Sequence, residues 1–173
     1  MFARFTVAIA AAIAIAAPQP ASAKMLKFHA LLDGHYGSEP SGSAATGRAT
    51  VRVDTKAHRV SVELDVTGIA VDNLWDKLVA APVGPIHFHK YASISGGDSE
   101  LALPLPFGLG YRPTPSGMHV SMKDYDYDTG AGLLNSTLTF DDFVAAMDEG
   151  LIVLNIHTDK FNAGEISGLV VPD

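Results

Sequence analysis

Strict alternation of apolar and polar side chains is the feature of this sequence that most restricts its fold. Between residues 48 and 67 the apolar side chains recur at every second position of two short runs: Ala49, Val51, Val53, Val60, Val62, Leu64 and Val66. Successive side chains of a strand point to opposite faces, whereas a helix repeats every 3.6 residues. The pattern therefore predicts two half-buried antiparallel strands that are joined by a turn over 55–59.

The same period of two recurs elsewhere in the chain. It predicts strands over 25–33, 151–158 and 164–172, and a further strand within 117–128 that runs into an acidic loop, "DYDYD". The segment 100–108 is also expected to be extended. Its two prolines lack the backbone N–H that a central strand needs, so it should lie at a sheet edge or in a loop.

Helix signals are concentrated in one place, "LTFDDFVAAMDEG" (138–150). Thr139 is a favoured N-cap residue, Asp142 stands three positions later, and Gly150 ends the segment, so we expect one short helix near 139–149. The pattern within 71–81 predicts a second short helix that starts at Asp72 or Asn73. Many short strands and one clear helix predict an all-β fold, an antiparallel β-sandwich or flattened barrel.

The first 23 residues have the organisation of a secretory signal peptide. Arg4 provides the positive charge, an uncharged apolar run extends from Val7 to Ala17, and Ala21-Ser22-Ala23 fits a cleavage site. The run is shorter than the roughly 20 residues that a membrane-spanning helix needs. We therefore expect one domain over 24–173, secreted or periplasmic, with no membrane span after cleavage.

The net charge and the absence of cysteine exclude several classes of partner and of functional site. Residues 24–173 carry 11 basic and 19 acidic side chains, a formal charge of −8. An acidic surface disfavours nucleic acid and anionic lipid as partners. The chain has no cysteine, which excludes disulfides, cysteine-based zinc sites and a thiol nucleophile.

Two histidines share one face of a strand in "GPIHFHKY" (84–91). Ile86 and Phe88 point to one side of that strand, so His87 and His89 lie next to each other on the other side. His157 ends the predicted strand 151–158 and is a third candidate. Imidazole binds copper and zinc well, so an open site of three nitrogens is one interpretation. A hydrogen-bonded histidine cluster without metal is the other.

His119 is a weaker metal-ligand candidate. It lies between Met118 and Met122, and thioether sulfur favours copper(I), so this segment could supply a fourth ligand or a second site. The two methionines alternate with His119 along the predicted strand. They should therefore face away from the imidazole and pack in the core.

Several motifs resemble those of the chordin-type (CHRD) domain family. The similarity covers nearly all of 24–173 and is weakest over about 92–135. It is carried by the following segments: Glu39-Pro40, Gly47-Arg48-Ala49, Ile86-His87-Phe88-His89, Asn155-Ile156-His157-Thr158 and Gly164-Glu165-Ile166-Ser167-Gly168. Membership of that family, known from a secreted growth-factor antagonist, implies a structural or protein-interaction module.

A more distant resemblance, to copper/zinc superoxide dismutase, follows from the order of the histidine motifs. It implies a Greek-key sandwich in which His87, His89 and His157 are copper ligands. The bridging histidine, the zinc ligands and the disulfide of that family have no clear counterpart here, and Glu165 stands where the family has a substrate-guiding arginine. Dismutation is therefore expected to be weak or absent, because negative charge repels superoxide.

Two functions from different classes remain. One is an exported domain that binds one metal ion, copper or alternatively zinc, through three histidines and has a copper-handling or redox role. The other is a non-catalytic module that binds a protein partner and no metal.

The signal-peptide prediction has a direct test. The mature protein should begin at Lys24 and be found outside the cytoplasm, because Ala21-Ser22-Ala23 directs cleavage after Ala23. Mass spectrometry of the native protein measures its N-terminus. A cytoplasmic species that retains Met1 would contradict the prediction.

Overall fold

A computed structural model describes residues 24–36, 40–93, 96–108 and 110–173. The predicted signal peptide, 1–23, lies outside the described residues. Among the residues that are described, no helix is both long and apolar enough to cross a membrane.

Nine strands form one antiparallel sheet over the described part of the chain, in the order β5-β4-β8-β9-β1-β2-β3-β7-β6. The strands are β1 (Met25–Asp33), β2 (Thr46–Asp54), β3 (Arg59–Thr67), β4 (Ile86–Ser93), β5 (Gly96–Leu105), β6 (Tyr111–Thr114), β7 (Gly117–Asp126), β8 (Ile152–Ile156) and β9 (Ile166–Pro172). The sheet curls into a half-barrel. The predicted all-β class, sandwich or flattened barrel, is confirmed.

Alternation decides which face of the sheet is buried. The apolar residues of β2 and β3 that carry the pattern all point into one core, with Val51, Val60 and Leu64 fully buried. β2 and β3 pair directly opposite each other from Thr46–Thr67 to Asp54–Arg59. The register is strongly specified because a slip of one residue would turn every core side chain toward solvent.

Within the described residues, three α-helices accompany the sheet: α1 (Asp76–Val79), α2 (Tyr127–Leu133) and α3 (Phe140–Asp148). The Thr139 side chain accepts a hydrogen bond from the Asp142 backbone N–H, as expected of an N-cap, which confirms the predicted helix near 139–149. The weaker pattern over 71–81 becomes a 3₁₀ turn at Val71–Asn73 followed by α1.

The acidic loop predicted at the end of β7 is not a loop. The strand continues to Asp126, whose side chain accepts from the Thr129 backbone N–H and caps α2. The buried Tyr127 ring packs against Phe143 of α3 at 4.9 Å between centroids. This packing against the core stabilises a helix that contains two glycines and has no strong propensity of its own.

Proline marks both edges of the sheet. β5, which contains Pro104, is one terminal strand, and β6, which contains Pro113, is the other. The prediction that 100–108 forms an edge is therefore confirmed over Gly96–Leu105. β6 was not expected, because it is only four residues long and carries no alternating apolar pattern.

Gly84 sets the direction in which the chain enters β4. Its φ is +69°, and a Cβ placed on it would lie 2.2 Å from the Leu105 carbonyl oxygen. Only glycine fits both conditions without displacement of the backbone. The turn places the paired histidines of β4 beside the end of β8.

Replacing Gly84 with alanine should lower the free energy of unfolding by more than about 2 kcal/mol, because positive φ and a backbone clash add. The matched control is Gly132→Ala, since Gly132 is exposed in α2 and a Cβ there meets nothing within 4 Å. The control should be neutral or slightly stabilising. Urea unfolding of both variants makes the comparison, and equal stabilities would contradict it.

Candidate metal centre

The three histidines of the sequence prediction lie together in the structure. His87 and His89 occupy one face of β4, and Ile86 and Phe88 lie fully buried in the core on the other face. β8 pairs with β4, with His87 opposite Asn155, and His157 follows two residues later, directly after that strand ends. Antiparallel pairing thus brings together histidines that are 70 residues apart.

One nitrogen from each of the three rings lies within 4.8 Å of the others. The His87 and His157 rings are stacked, with centroids 4.6 Å apart, and the His89 ring meets His87 edge-on at 4.8 Å. His87 and His157 are buried, while His89 is partly exposed. The group therefore opens to solvent on the His89 side.

Backbone carbonyls determine which nitrogen carries the proton on two of the rings. His87 Nδ1 lies 3.1 Å from the Gly84 carbonyl oxygen, and His157 Nδ1 lies 2.9 Å from that of Asn162. A carbonyl oxygen only accepts hydrogen bonds, so each Nδ1 donates. In the neutral rings both Nε2 atoms consequently present lone pairs.

These two Nε2 atoms face each other at 3.1 Å. With both protons on Nδ1, neither Nε2 can donate to the other, so the contact joins two acceptors. Moving one proton to Nε2 would make that contact a hydrogen bond, but it would turn a bare Nδ1 toward a carbonyl oxygen. A cation between the rings satisfies both nitrogens at once.

His89 adds a third unsatisfied nitrogen. Its Nε2 atom is buried and has no hydrogen-bond partner in the described part of the protein. A buried polar atom without a partner costs roughly 1–3 kcal/mol and is uncommon in native structures. This unpartnered Nε2 atom of His89 lies in the same group of rings as the facing Nε2 atoms of His87 and His157.

Burial keeps these rings neutral. Desolvation, together with the neighbouring His157 and His89, lowers the pKa of His87 to about 3. Desolvation and His157 lower the pKa of His89 to about 4, and desolvation also lowers the pKa of His157. The rings are therefore not expected to carry a shared proton near neutral pH.

The donor set fits a transition-metal ion. Neutral imidazole is a good ligand for zinc, copper, iron and nickel, and two nitrogens that share an ion at about 2.0–2.1 Å can be at most about 4.2 Å apart. The His87–His157 separation of 3.1 Å satisfies this limit. Shifts of a few tenths of an ångström bring every pair of the group within it.

Trp75 and Tyr91 flank the histidines, with ring centroids 6.4 Å from those of His157 and His89 respectively.

Both carboxylate oxygens of Glu165 accept hydrogen bonds from hydroxyl groups, those of Ser43 and Thr158, each at 2.7 Å. Its negative charge is therefore engaged inside a hydrogen-bonded loop.

His119, the fourth predicted ligand residue, is not part of this group. It lies on β7, where its Nε2 is 3.2 Å from Glu63 and its Nδ1 is 2.7 Å from Asp65. Met118 is buried and Met122 packs against the core, as the alternation indicated. A role for His119 as a ligand of a separate ion stays a prediction.

Sequence reasoning did not find the two carbonyls that orient the rings. Gly84 and Asn162 act through backbone oxygen atoms, which every residue has, so residue type gives no signal for them. The one sequence signal for either carbonyl is the presence of a glycine, Gly84, three residues before His87. The structure shows why a glycine is there, since its φ is left-handed.

Comparison with known proteins identifies the family. The sequence model of the CHRD domain matches residues 28–170. The chain belongs to the CHRD domain family. The resemblance read from the short motifs is thereby confirmed, and all three histidines lie within the matched region of this CHRD domain.

Neither a search of curated proteins nor a search of solved structures returned a match. The similarity of this CHRD domain to copper/zinc superoxide dismutase accordingly stays a hypothesis that rests on the histidine positions.

The lowered pKa values predict how the stability of the metal-free domain depends on pH. The unfolded state takes up protons near pH 6.5, whereas folded His87 and His89 do so only near pH 3 and 4. The stability contributed by their neutral burial is complete above about pH 6.5 and is lost as pH falls toward 3. One pKa unit corresponds to about 1.4 kcal/mol, so the loss should reach a few kcal/mol.

Urea unfolding of the metal-free protein between pH 7.5 and 4 measures this loss. The His87→Leu variant lacks one titrating ring, so its free energy of unfolding should fall less steeply than that of the unmodified protein as the pH is lowered. The carboxylates titrate in both proteins, so the difference between the two slopes reports the contribution of His87 together with its coupling to His157 and His89. Parallel curves would show that this imidazole is not held neutral by the fold.

Proposed function

We propose that this CHRD domain binds one copper ion through His87, His89 and His157 and serves in copper handling or copper redox chemistry outside the cytoplasm. The observation that carries the proposal is the 3.1 Å contact between two Nε2 lone pairs. The buried, unpartnered Nε2 of His89 supports it.

Copper is favoured over zinc for chemical reasons. Divalent copper binds nitrogen sites more tightly than the other first-row metals, including zinc. All three candidate ligands are neutral imidazoles, for which this order of affinity holds. Copper, when bound, would supply one-electron redox chemistry.

The surrounding residues prepare the three rings to bind an ion. The Gly84 and Asn162 carbonyls keep Nδ1 protonated on two rings, so that their Nε2 atoms are ready to bind without a change of tautomer. The core behind Ile86 and Phe88 keeps β4 in place. Partial exposure of His89 leaves a path by which an ion can enter.

Export supports copper handling as the role, and it is likewise a proposal. It rests on the signal-peptide pattern of 1–23.

Titration of the metal-free protein with copper(II) against a competing chelator tests the proposal. One ion per chain should bind, and binding should weaken only as pH falls toward about 4, where His89 of the folded, metal-free protein begins to take up a proton and can no longer act as a ligand. His89→Ala should lose more than the 10–100-fold that loss of an outer hydrogen-bond partner typically costs. Zinc(II) measured in parallel should bind more weakly.

Two variants serve as controls. His58→Asn removes a histidine far from the group, and asparagine tolerates its φ of +52°. His119→Ala removes the fourth candidate ligand. Both should bind copper like the unmodified protein. If His89→Ala binds copper with the affinity of the unmodified protein, the site lies elsewhere. If His119→Ala loses copper affinity, His119 is a ligand. If no form of the protein binds copper, the interaction module is favoured.

A further inference from the structure

The loop that connects β8 to β9 carries His157 and is folded around Thr158. The Thr158 hydroxyl accepts a hydrogen bond from the Phe161 backbone N–H at 3.1 Å, and the Phe161 carbonyl accepts from the Gly164 N–H at 3.1 Å. This tight turn places the next residue, Asn162, with its carbonyl oxygen 2.9 Å from His157 Nδ1. The conformation of the turn therefore determines the orientation of the His157 ring.

Glu165 closes the loop from the other side. One of its carboxylate oxygens accepts from the Thr158 hydroxyl, and the other accepts from the Ser43 hydroxyl in the segment before β2. Its backbone N–H donates to the Ile156 carbonyl at 2.7 Å. Glu165 thus holds together the end of β8, the loop and the segment that leads into β2.

Gly164 makes this closure possible. Its φ is +131°, and a Cβ there would lie 2.6 Å from the Asn155 side-chain oxygen. The loop can therefore lie directly against β8 only with glycine at this position.

We propose that Glu165 is a positioning residue for His157: through Thr158 it holds the Asn162 carbonyl in place and keeps the His157 Nε2 lone pair directed at the metal. The part that concerns metal rests on the proposed function. Glu165 acts on the His157 ring only through the loop, by its hydrogen bond with Thr158.

The chemistry of the Thr158 hydroxyl explains why a carboxylate is needed. The hydroxyl has a single proton, and it already accepts from Phe161, so its proton must go to a group that accepts. A carboxylate accepts from Thr158 and Ser43 together. A glutamine places an NH₂ group at one of these two positions. The hydroxyl there can accept from the amide through its second lone pair, but its own proton then loses the acceptor that the carboxylate provided.

The first measurement uses the metal-free protein. Nitrogen NMR of histidine-labelled protein reports the tautomer of each ring, and His157 should be in the single Nδ1–H form. In Glu165→Gln and in Thr158→Val the ring should populate both tautomers. Thr158→Ser keeps the hydroxyl and should restore the single form. Glu149→Gln, an exposed glutamate at the end of α3, is the matched control and should change nothing.

The second measurement is copper(II) affinity. Glu165→Gln and Thr158→Val should each weaken binding by about 10-fold, the size typical for loss of a partner that orients a ligand. The electron spin-echo modulation of bound copper, which senses the outer nitrogen of a ligating imidazole, should change with them. Thr158→Ser and Glu149→Gln should keep the affinity and the signal of the unmodified protein.

The outcomes separate the two proposals. If Glu165→Gln only lowers the melting temperature, while the His157 tautomer and copper affinity stay unchanged, Glu165 is structural and the positioning role is overturned. If the tautomer shifts as expected but the unmodified protein binds no copper, the positioning of His157 is supported and the metal function fails. A shift in both measurements supports both.

Discussion

The close approach of two buried imidazoles, whose Nε2 atoms lie 3.1 Å apart, is the constraint on which the rest of the site depends. Left alone, the contact joins two acceptors in a desolvated place, where polar groups without partners are costly. The neighbouring backbone does nothing to relieve it. Both Nδ1 atoms donate to carbonyls, so the protons are held on the far side of each ring.

The fold supplies this arrangement from two kinds of element. β4 and β8 lie side by side within the sheet, and their inner faces belong to the apolar core, so the His87 and His89 rings are carried by a strand that packs on the core. The third ring is placed by a loop instead. That loop depends on hydroxyl and carboxylate hydrogen bonds around Thr158 and Glu165, which makes it the part of the site that a single polar substitution can loosen.

Much of the fold was predictable because local periodicity carries it. The strands β1, β2 and β3 and the helix α3 follow from alternation and from the Thr139 N-cap, and the family motifs agree with them. α2 and β6 were not predicted. α2 contains two glycines and is held by the packing of Tyr127 against Phe143, and β6 is a four-residue edge strand stabilised by its pairing with β7. Such contacts join residues distant in sequence, which a local pattern does not record.

By itself the sequence determined that His87 and His89 share a face, because side-chain direction in a strand depends only on residue parity. It also determined the all-β class, since the spacing of apolar residues is a local property. Only the tertiary structure decided that β8 pairs with β4, that burial keeps the rings neutral, and that the carbonyls of Gly84 and Asn162 select their tautomers. The physical reason is that pairing, desolvation and backbone hydrogen bonds are set by groups far apart in the chain, and only the folded protein brings these groups into contact.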